Sequence, residues 1–188
     1  MSKVLLKNQP LVVPGAVVLV SAGTMDGPHD ATTIAWASNM ASEPPAAAIG
    51  VRQSRYIYGL IKEHKAFVIN LPPSSKLWEL DYCGTVSGRD TDKFAATHLT
   101  PVPAEKVKAV MVAEFPVNLE CEVFSVVPAG SHDIFVARIV AIHAEEEVLD
   151  ASGRLDQLKM GGVAYGAGTY FSLGKALGRH GLSQQVKK

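Results

Sequence analysis

The sequence has no excess of charge of either sign. Its 18 lysine and arginine residues equal its 18 aspartate and glutamate residues, and the basic residues form no run or stripe. Domains that bind nucleic acid carry a basic patch or stripe as their electrostatic footprint. We therefore expect no nucleic-acid partner.

Cysteine is scarce, with only Cys83 and Cys121 in 188 residues. Two cysteines cannot build a disulfide framework or a sulfur-rich metal site. The six histidines lie too far apart in sequence for the paired spacing of a zinc enzyme. We expect no metal site, and cysteines that suit the reducing cytoplasm.

Long apolar runs are also missing. The run from Leu11 to Val20 is interrupted by Pro14 and Gly15, and it falls far short of the roughly 20 residues that span a bilayer. The first three residues, Met-Ser-Lys, do not resemble the start of a signal peptide. We expect a cytoplasmic protein that does not enter a membrane.

Several catalytic motifs are absent as well. No Gly-x-Gly-x-x-Gly follows a predicted strand and no Walker loop occurs, which argues against a Rossmann nicotinamide site and against a P-loop enzyme. Ser172 and Lys175 match Ser-x-x-Lys, but the companion motifs of that hydrolase class are missing. The sequence shows no machinery for hydrolysis.

Apolar residues are abundant. They make up 47% of the chain, and charged residues only 19%, against about 25% in an average soluble domain. The length favours one domain over residues 1–188, able to bury roughly 70% of its unfolded surface. The low charge suggests that some apolar surface is covered by a second copy, as in a homodimer.

The local patterns predict a mainly β protein, an antiparallel β-barrel with short helices. We expect one face of the strand Val117–Val123 to be exposed to solvent, because its residues alternate between apolar and polar. The predicted strands are Ala16–Ala22, Ala31–Met40, Ala46–Val51, Ala66–Leu71, Ala109–Ala113, Val117–Val127 and Ile134–His143, and the clearest helix is Tyr56–His64.

The stretch from Gly27 to Pro45 is the best candidate for a binding strand. Its small and hydroxylated residues permit a close backbone approach, and Trp36 offers a flat wall. Elsewhere, hydroxyls, an arginine at a helix N-terminus and a lysine are groups that suit a phosphate. A phosphate and a large flat ring suggest FMN, or a nucleotide more generally.

Each of these residues also has a purely structural interpretation. Trp36 suits a core or an interface, and Tyr165 suits ordinary packing. Arg55 and Lys93 suit a solvated surface, and His132 suits a hairpin turn. Spacing along the sequence does not bring them together.

Seven stretches in order resemble one known family. Together they cover nearly the whole chain and are similar to the flavin reductase-like family on the FMN-binding split barrel, near the flavoredoxin group. They are Pro14–Ser21, Thr33–Trp36 followed by Glu43–Pro45, Ser54–Arg55, Phe67–Pro72, Gly84 with Ser87–Gly88 and Asp92–Phe94, Gly130–His132 with Phe135–Val136, and Tyr170 with Leu173–Gly174.

The resemblance implies an FMN-dependent oxidoreductase that passes electrons from NAD(P)H or a redox protein to an acceptor. It also implies a homodimer with the flavin near the subunit interface. It identifies no catalytic side chain. The implied cofactor-binding residues are Asp30, Thr33, Trp36, Ala37, Ser38, Ser54, Arg55, Ser87, Lys93, His132 and Tyr165.

Two positions depart from the family pattern. Asp30 stands where the family commonly has asparagine, and Ile57 stands where it commonly has threonine. An ionised carboxylate only accepts hydrogen bonds, so we expect Asp30 to weaken FMN binding. Two rival hypotheses follow: a module that binds FMN or another planar ligand without turnover, and a structural dimer with a degenerate site.

Overall fold

The computed structural model of the chain describes residues 1–185, and it is mainly β with short helices, as the sequence predicts. The strands are β1 Gly15–Ala16, β2 Val18–Gly23, β3 His29–Ile34, β4 Ala37–Ser42, β5 Pro45–Val51, β6 Ala66–Leu71, β7 Pro101–Pro103, β8 Val110–Val112, β9 Val117–Ala129, β10 His132–Ala144, β11 Val163–Gly166 and β12 Thr169–Ser172. The helices are α1 Tyr56–His64, α2 Leu77–Thr85, α3 Lys93–Thr97, α4 Gln157–Met160 and α5 Leu182–Gln185, with 3-10 turns at Ser74–Lys76 and Glu146–Val148.

Seven strands form one antiparallel sheet in the order β3-β2-β6-β9-β10-β5-β4. Within residues 1–185, hydrogen bonds do not close this sheet into a ring. Strands β1, β11 and β12 form a second sheet, and β7 and β8 form a hairpin. The helix Tyr56–His64 and the strand Ala66–Leu71 agree with the prediction to the residue.

The predicted strand Ala31–Met40 is wrong in one respect, because the chain breaks at Ala35 and Trp36 into β3 and β4. These two strands lie at opposite ends of the seven-stranded sheet. The backbone carbonyl of Trp36 accepts a hydrogen bond from the Gly50 N–H at 2.8 Å. This contact starts the pairing of β4 with β5 and ends the pairing of β3 with β2.

The predicted solvent-exposed face of β9 is wrong at Asn118 and Glu120, although Glu122 is exposed. Asn118 and Glu120 alternate with apolar residues, but both are buried, and Glu120 is 0% exposed. Two oxygens of Glu120 accept the N–H groups of Glu105, Lys106 and Val107 at 2.6–3.1 Å. The loop between β7 and β8 therefore covers a face that the sequence pattern assigns to solvent.

The core lies on both sides of the sheet. On one side α1 buries Ile57, Leu60 and Ile61, the face that its periodicity predicts. On the other side α2 and α3 bury Leu80, Cys83 and Phe94 against β2, β3 and β8. The two sets of helices fix the ends of the strands between them. No helix among residues 1–185 is long and apolar enough to cross a membrane.

We predict that Glu120→Gln destabilises the fold by about 2–3 kcal/mol, because an amide cannot accept all of these hydrogen bonds. Burial alone would raise the pKa of Glu120. The Glu105 N–H, the His143 ring and the N–H groups of Lys106 and Val107 instead hold it below the ordinary 4.5. The contribution of ionised Glu120 to the free energy of unfolding is therefore complete above pH 4.5, and it is lost as the pH falls through the lowered pKa.

Urea unfolding at several pH values measures this effect. The matched control is Glu122→Gln, on the same strand but exposed, and we expect it to lie within about 0.5 kcal/mol of the unsubstituted chain. Equal stabilities for the two variants at pH 7 would contradict the assigned role of Glu120.

Candidate functional site

A cavity of about 240 Å³ lies where β3, the start of α1 and the loop between α2 and α3 meet. It brings together five of the residues that the sequence singles out, from four separate segments of the chain. Its lining consists of Asp30, Thr32, Arg52, Ser54, Arg55, Tyr56, Val86, Ser87, Gly88 and Lys93.

Lys93 lines the cavity and is held in place by three hydrogen bonds. It is the first residue of α3, which Asp92 caps by accepting the Ala95 N–H. Its ammonium group donates to the carbonyls of Ala31 at 2.7 Å and Cys83 at 3.2 Å, and to the Asp30 carboxylate at 3.2 Å. The side chain is only 2% exposed. The interpretation of Lys93 as a solvated surface charge is therefore wrong.

Asp30 pairs with Lys93 inside the protein. Its side chain is 3% exposed, and burial raises its pKa above the ordinary 3.8, although Lys93 and Arg55 act in the opposite direction. Gly88 covers the carboxylate so closely that an added Cβ would lie 2.5 Å from its Cγ. Only glycine lets the loop pass over Asp30 at this distance.

The start of α1 forms the positive wall. Within the described chain no side chain caps this helix, so its first N–H groups and the positive end of its dipole face the cavity region. Arg55 donates to the Gly84 carbonyl at 2.9 Å, which ties α1 to α2. Arg89 donates to the Ser54 carbonyl at 2.7 Å and lies over the Tyr56 ring.

Arg52 is a lining residue that sequence reasoning missed. The available signal is its position, directly after the last residue of β5, where strand ends commonly carry site residues. Arg52, Arg55 and Lys93 give three positive charges and Asp30 one negative charge, so the lining carries a net charge of +2. This balance suits a phosphate group.

Trp36 and His132 form an aromatic surface. Their ring centroids lie 4.1 Å apart at an angle of 46°, and Trp36 is 46% exposed, so it is not a core residue. Gly50 permits this packing, since an added Cβ would lie 3.3 Å from the indole. Trp36, Ala37 and Ser38 line a larger, mostly apolar groove of about 1010 Å³.

His132 is more than a turn residue. It is the buried first residue of β10, and its Nδ1 lies 2.9 Å from the Ser131 hydroxyl. Burial and then the positive charge of Arg52 lower the pKa of its imidazole below 6.5. Arg52 thus lines the cavity and also lies near His132, because Val51 and Asp133 are paired across β5 and β10.

Thr33 and Tyr165 line neither space. The Thr33 hydroxyl donates to the Leu80 carbonyl, which joins β3 to α2. Tyr165 lies opposite Gly15 in the three-stranded sheet and packs on Tyr170 at 5.1 Å. The part of Thr33 and Tyr165 in binding a cofactor stays a prediction.

The fold and this site define a class of protein: an antiparallel split barrel with a positively charged cavity beside an exposed aromatic wall. The sequence matches the flavin reductase like domain over residues 11–174. The chain therefore belongs to the flavin reductase-like family.

Solved structures agree with this assignment. Flavoredoxin of Desulfovibrio vulgaris (Miyazaki F) superposes with a TM-score of 0.91 at 31% identity, covering 98% of this chain and 100% of that one. Flavoredoxin from Methanosarcina acetivorans superposes with a TM-score of 0.90 at 29% identity and the same coverage. The predicted split-barrel fold is confirmed.

A sequence relative from Archaeoglobus fulgidus, an uncharacterized protein, is 34% identical over 110 residues. The matched region is 58% of this chain and 62% of the relative. This match indicates a related sequence and says nothing about activity.

We predict that His132 titrates below pH 6.5 and that Arg52→Gln moves its midpoint upward, because the variant removes a nearby positive charge. NMR of the imidazole protons measures both midpoints. Arg138→Gln is the matched control, an exposed arginine six residues along the same strand, and we expect it to leave the midpoint unchanged. A midpoint above 6.5 in the unsubstituted chain would refute the assigned environment.

Proposed function

We propose that this protein is an FMN-dependent oxidoreductase of the flavin reductase and flavoredoxin type. It passes electrons from a reduced nicotinamide or a redox protein to an acceptor. The observation that carries the proposal is the positive cavity at the start of α1, whose Arg52 lies near His132 across the β5–β10 pair, with His132 packed on the exposed Trp36. Membership of the flavin reductase-like family supports it.

The phosphate of FMN fits the cavity in charge. A phosphate monoester carries about −1.5 to −2 at pH 7, which the net +2 of the lining balances. Arg52, Arg55, Ser54 and Ser87 would hold its oxygens, and the uncapped N-terminus of α1 adds a favourable dipole. Ile57 has a hydrocarbon side chain that is fully buried in the core, so it does not contact the phosphate.

The flavin ring, when bound, supplies the acceptance and donation of electrons. The protein provides a wall and a charged neighbourhood. Lys93 and His132 are the two side chains that we consider for stabilising negative charge on the ring, and Lys93 already donates to three oxygens of the protein. His132 packs on Trp36, so we assign that role to His132.

The second candidate function is binding of FMN or another planar ligand without turnover. The buried carboxylate of Asp30 in the cavity favours a planar ligand with less negative charge than FMN, because a negative charge there opposes a phosphorylated ligand. The test below separates the two functions by whether the bound flavin accepts electrons.

We further propose a cytoplasmic homodimer with the flavin near the interface. Cys83 and Cys121 are free thiols, which suits a reducing compartment. Trp36, Met40 and Ile142 are exposed apolar side chains that a second copy would cover. Sedimentation of the flavin-loaded protein should give a mass twice the 20.0 kDa of one chain, and a mass of one chain would exclude the dimer.

The binding test is a titration with FMN and riboflavin, followed by flavin fluorescence. We expect Arg52→Gln to weaken FMN binding about 10- to 100-fold, the loss of a charged hydrogen bond, with little effect on riboflavin. Trp36→Ala should weaken both ligands about 2- to 10-fold, because stacking is lost. Arg138→Gln is the control and should bind both ligands normally.

The redox test follows on the FMN-loaded protein without oxygen. Bleaching of the yellow colour by NADH or NADPH supports the oxidoreductase with a nicotinamide donor. Colour that bleaches only with dithionite and a reduced redox protein supports a protein donor. Colour that neither donor bleaches supports the binding module. Failure to bind either flavin refutes the oxidoreductase and the flavin-binding form of the module.

A further inference from the structure

Asp30 is the one carboxylate among the described residues that line the 240 Å³ cavity. A residue that merely filled space there would not need a charge. Its carboxylate is buried, and Gly88 is held tightly against it. The protein therefore maintains a negative group inside a space whose other charges attract an anion.

The charges around Asp30 come from every element that packs against it. Lys93 of α3 forms an ion pair with it at 3.2 Å, and Arg55 at the start of α1 acts on it at longer range. The Cys83 thiol of α2 is neutral, since burial raises its pKa to about 12. The other polar groups of the lining are Thr32 of β3, Arg52 and Ser54 between β5 and α1, Tyr56 of α1 and Ser87 in the loop. His29 precedes Asp30 on β3, and its ring Nδ1 donates to the Thr24 and Gly27 carbonyls.

The ion pair cancels most of the charge of Lys93. If Asp30 gains a proton, it becomes a hydrogen-bond donor, and the lining changes from a net +2 to a net +3. A phosphate next to Asp30 favours that protonation, because two negative charges at one buried site repel. Binding of a phosphate and binding of a proton therefore assist each other.

We propose that Asp30 is the specificity-determining residue of this cavity: it makes the binding of a phosphorylated ligand depend on uptake of one proton, and it reduces the preference for phosphorylated over unphosphorylated flavin. The choice of flavin as ligand rests on the proposed function; the coupling of anion and proton does not. Burial already raises the pKa of Asp30, which brings the transition closer to neutral pH.

The sign of the pH dependence follows from linkage. The bound anion raises the pKa of Asp30 further, so binding takes up a proton between the free and the bound pKa. Affinity then falls as the pH rises, by up to about tenfold per pH unit for one proton. Without Asp30, affinity for FMN should instead rise as its phosphate loses its second proton near pH 6.

The experiment measures FMN, riboflavin and sulfate affinities between pH 5.5 and 8.5 by calorimetry. Sulfate keeps one charge state over this range, so it reports on the protein alone. In the unsubstituted protein we expect sulfate binding to weaken with pH over this range and riboflavin binding to stay constant. FMN binding should weaken above about pH 7, where its phosphate has already lost its second proton. D30N should bind FMN at least tenfold more tightly than the unsubstituted protein at pH 8. Its affinity for FMN and sulfate should no longer fall as the pH rises.

Two further variants keep the outcome readable. D30N/K93M removes both charges and so avoids an unpaired buried lysine; it should show no decline and weaker sulfate binding than D30N. Asp81→Asn is the control, an exposed aspartate on α2 that accepts from Tyr170, and it should keep the original pH profile. Far-ultraviolet circular dichroism establishes that each variant is folded.

The failure of this inference and that of the proposed function have different signatures. If flavins do not bind but sulfate shows the decline that D30N abolishes, the proposed function fails and the role of Asp30 stands. If FMN binds but sulfate binding has a flat pH profile, or if D30N binds FMN no more tightly, the role of Asp30 is overturned while the flavin function stands. Absence of both flavin and sulfate binding overturns both.

Discussion

The ion pair between Asp30 and Lys93 is the contact on which the rest of the site depends. Lys93 lies at the start of α3 and donates to β3 and to the last turns of α2 as well as to Asp30. A buried charge without a partner is strongly destabilising, so neither residue can move away without the other. The pair therefore holds one strand and two helices in the arrangement that leaves a cavity between them.

The order of the strands places this cavity beside the aromatic surface of Trp36 and His132. Strand β10 pairs with β5, with Asp133 opposite Val51, so His132 at the start of β10 lies near Arg52 at the end of β5. The break at Trp36 starts β4 beside β5 on the other side. Three short segments thus meet at one end of the sheet, where Arg52 can act on both the anion cavity and His132.

Two of the buried carboxylates, Glu120 and Asp30, have opposite surroundings. Glu120 accepts three backbone N–H groups and the His143 ring, and its pKa is lowered despite burial. Asp30 has Lys93 as its main partner and lies in the wall of a cavity, and its pKa is raised by burial. The first carboxylate is fully satisfied and stabilises the fold, whereas the second remains sensitive to a neighbouring anion. This difference is the physical basis for assigning a binding role to Asp30 and a structural role to Glu120.

The sequence by itself determined the class of the fold, the bounds of α1 and β6, and the candidate ligand chemistry. These features are local, because the periodicity of apolar residues and the types of polar groups are written along the chain. It did not reveal that Asp30 is paired with Lys93, that Glu120 is buried, or that Arg52 belongs to the site. Asp30 and Lys93 are 63 positions apart in sequence, Glu120 and Glu105 are 15 apart, and Arg52 and His132 are about 80 apart. Only strand order, register and helix packing bring such residues together. The identity of a side chain sets what it can bind, but its tertiary neighbours decide whether its charge is free, paired or shifted in pKa.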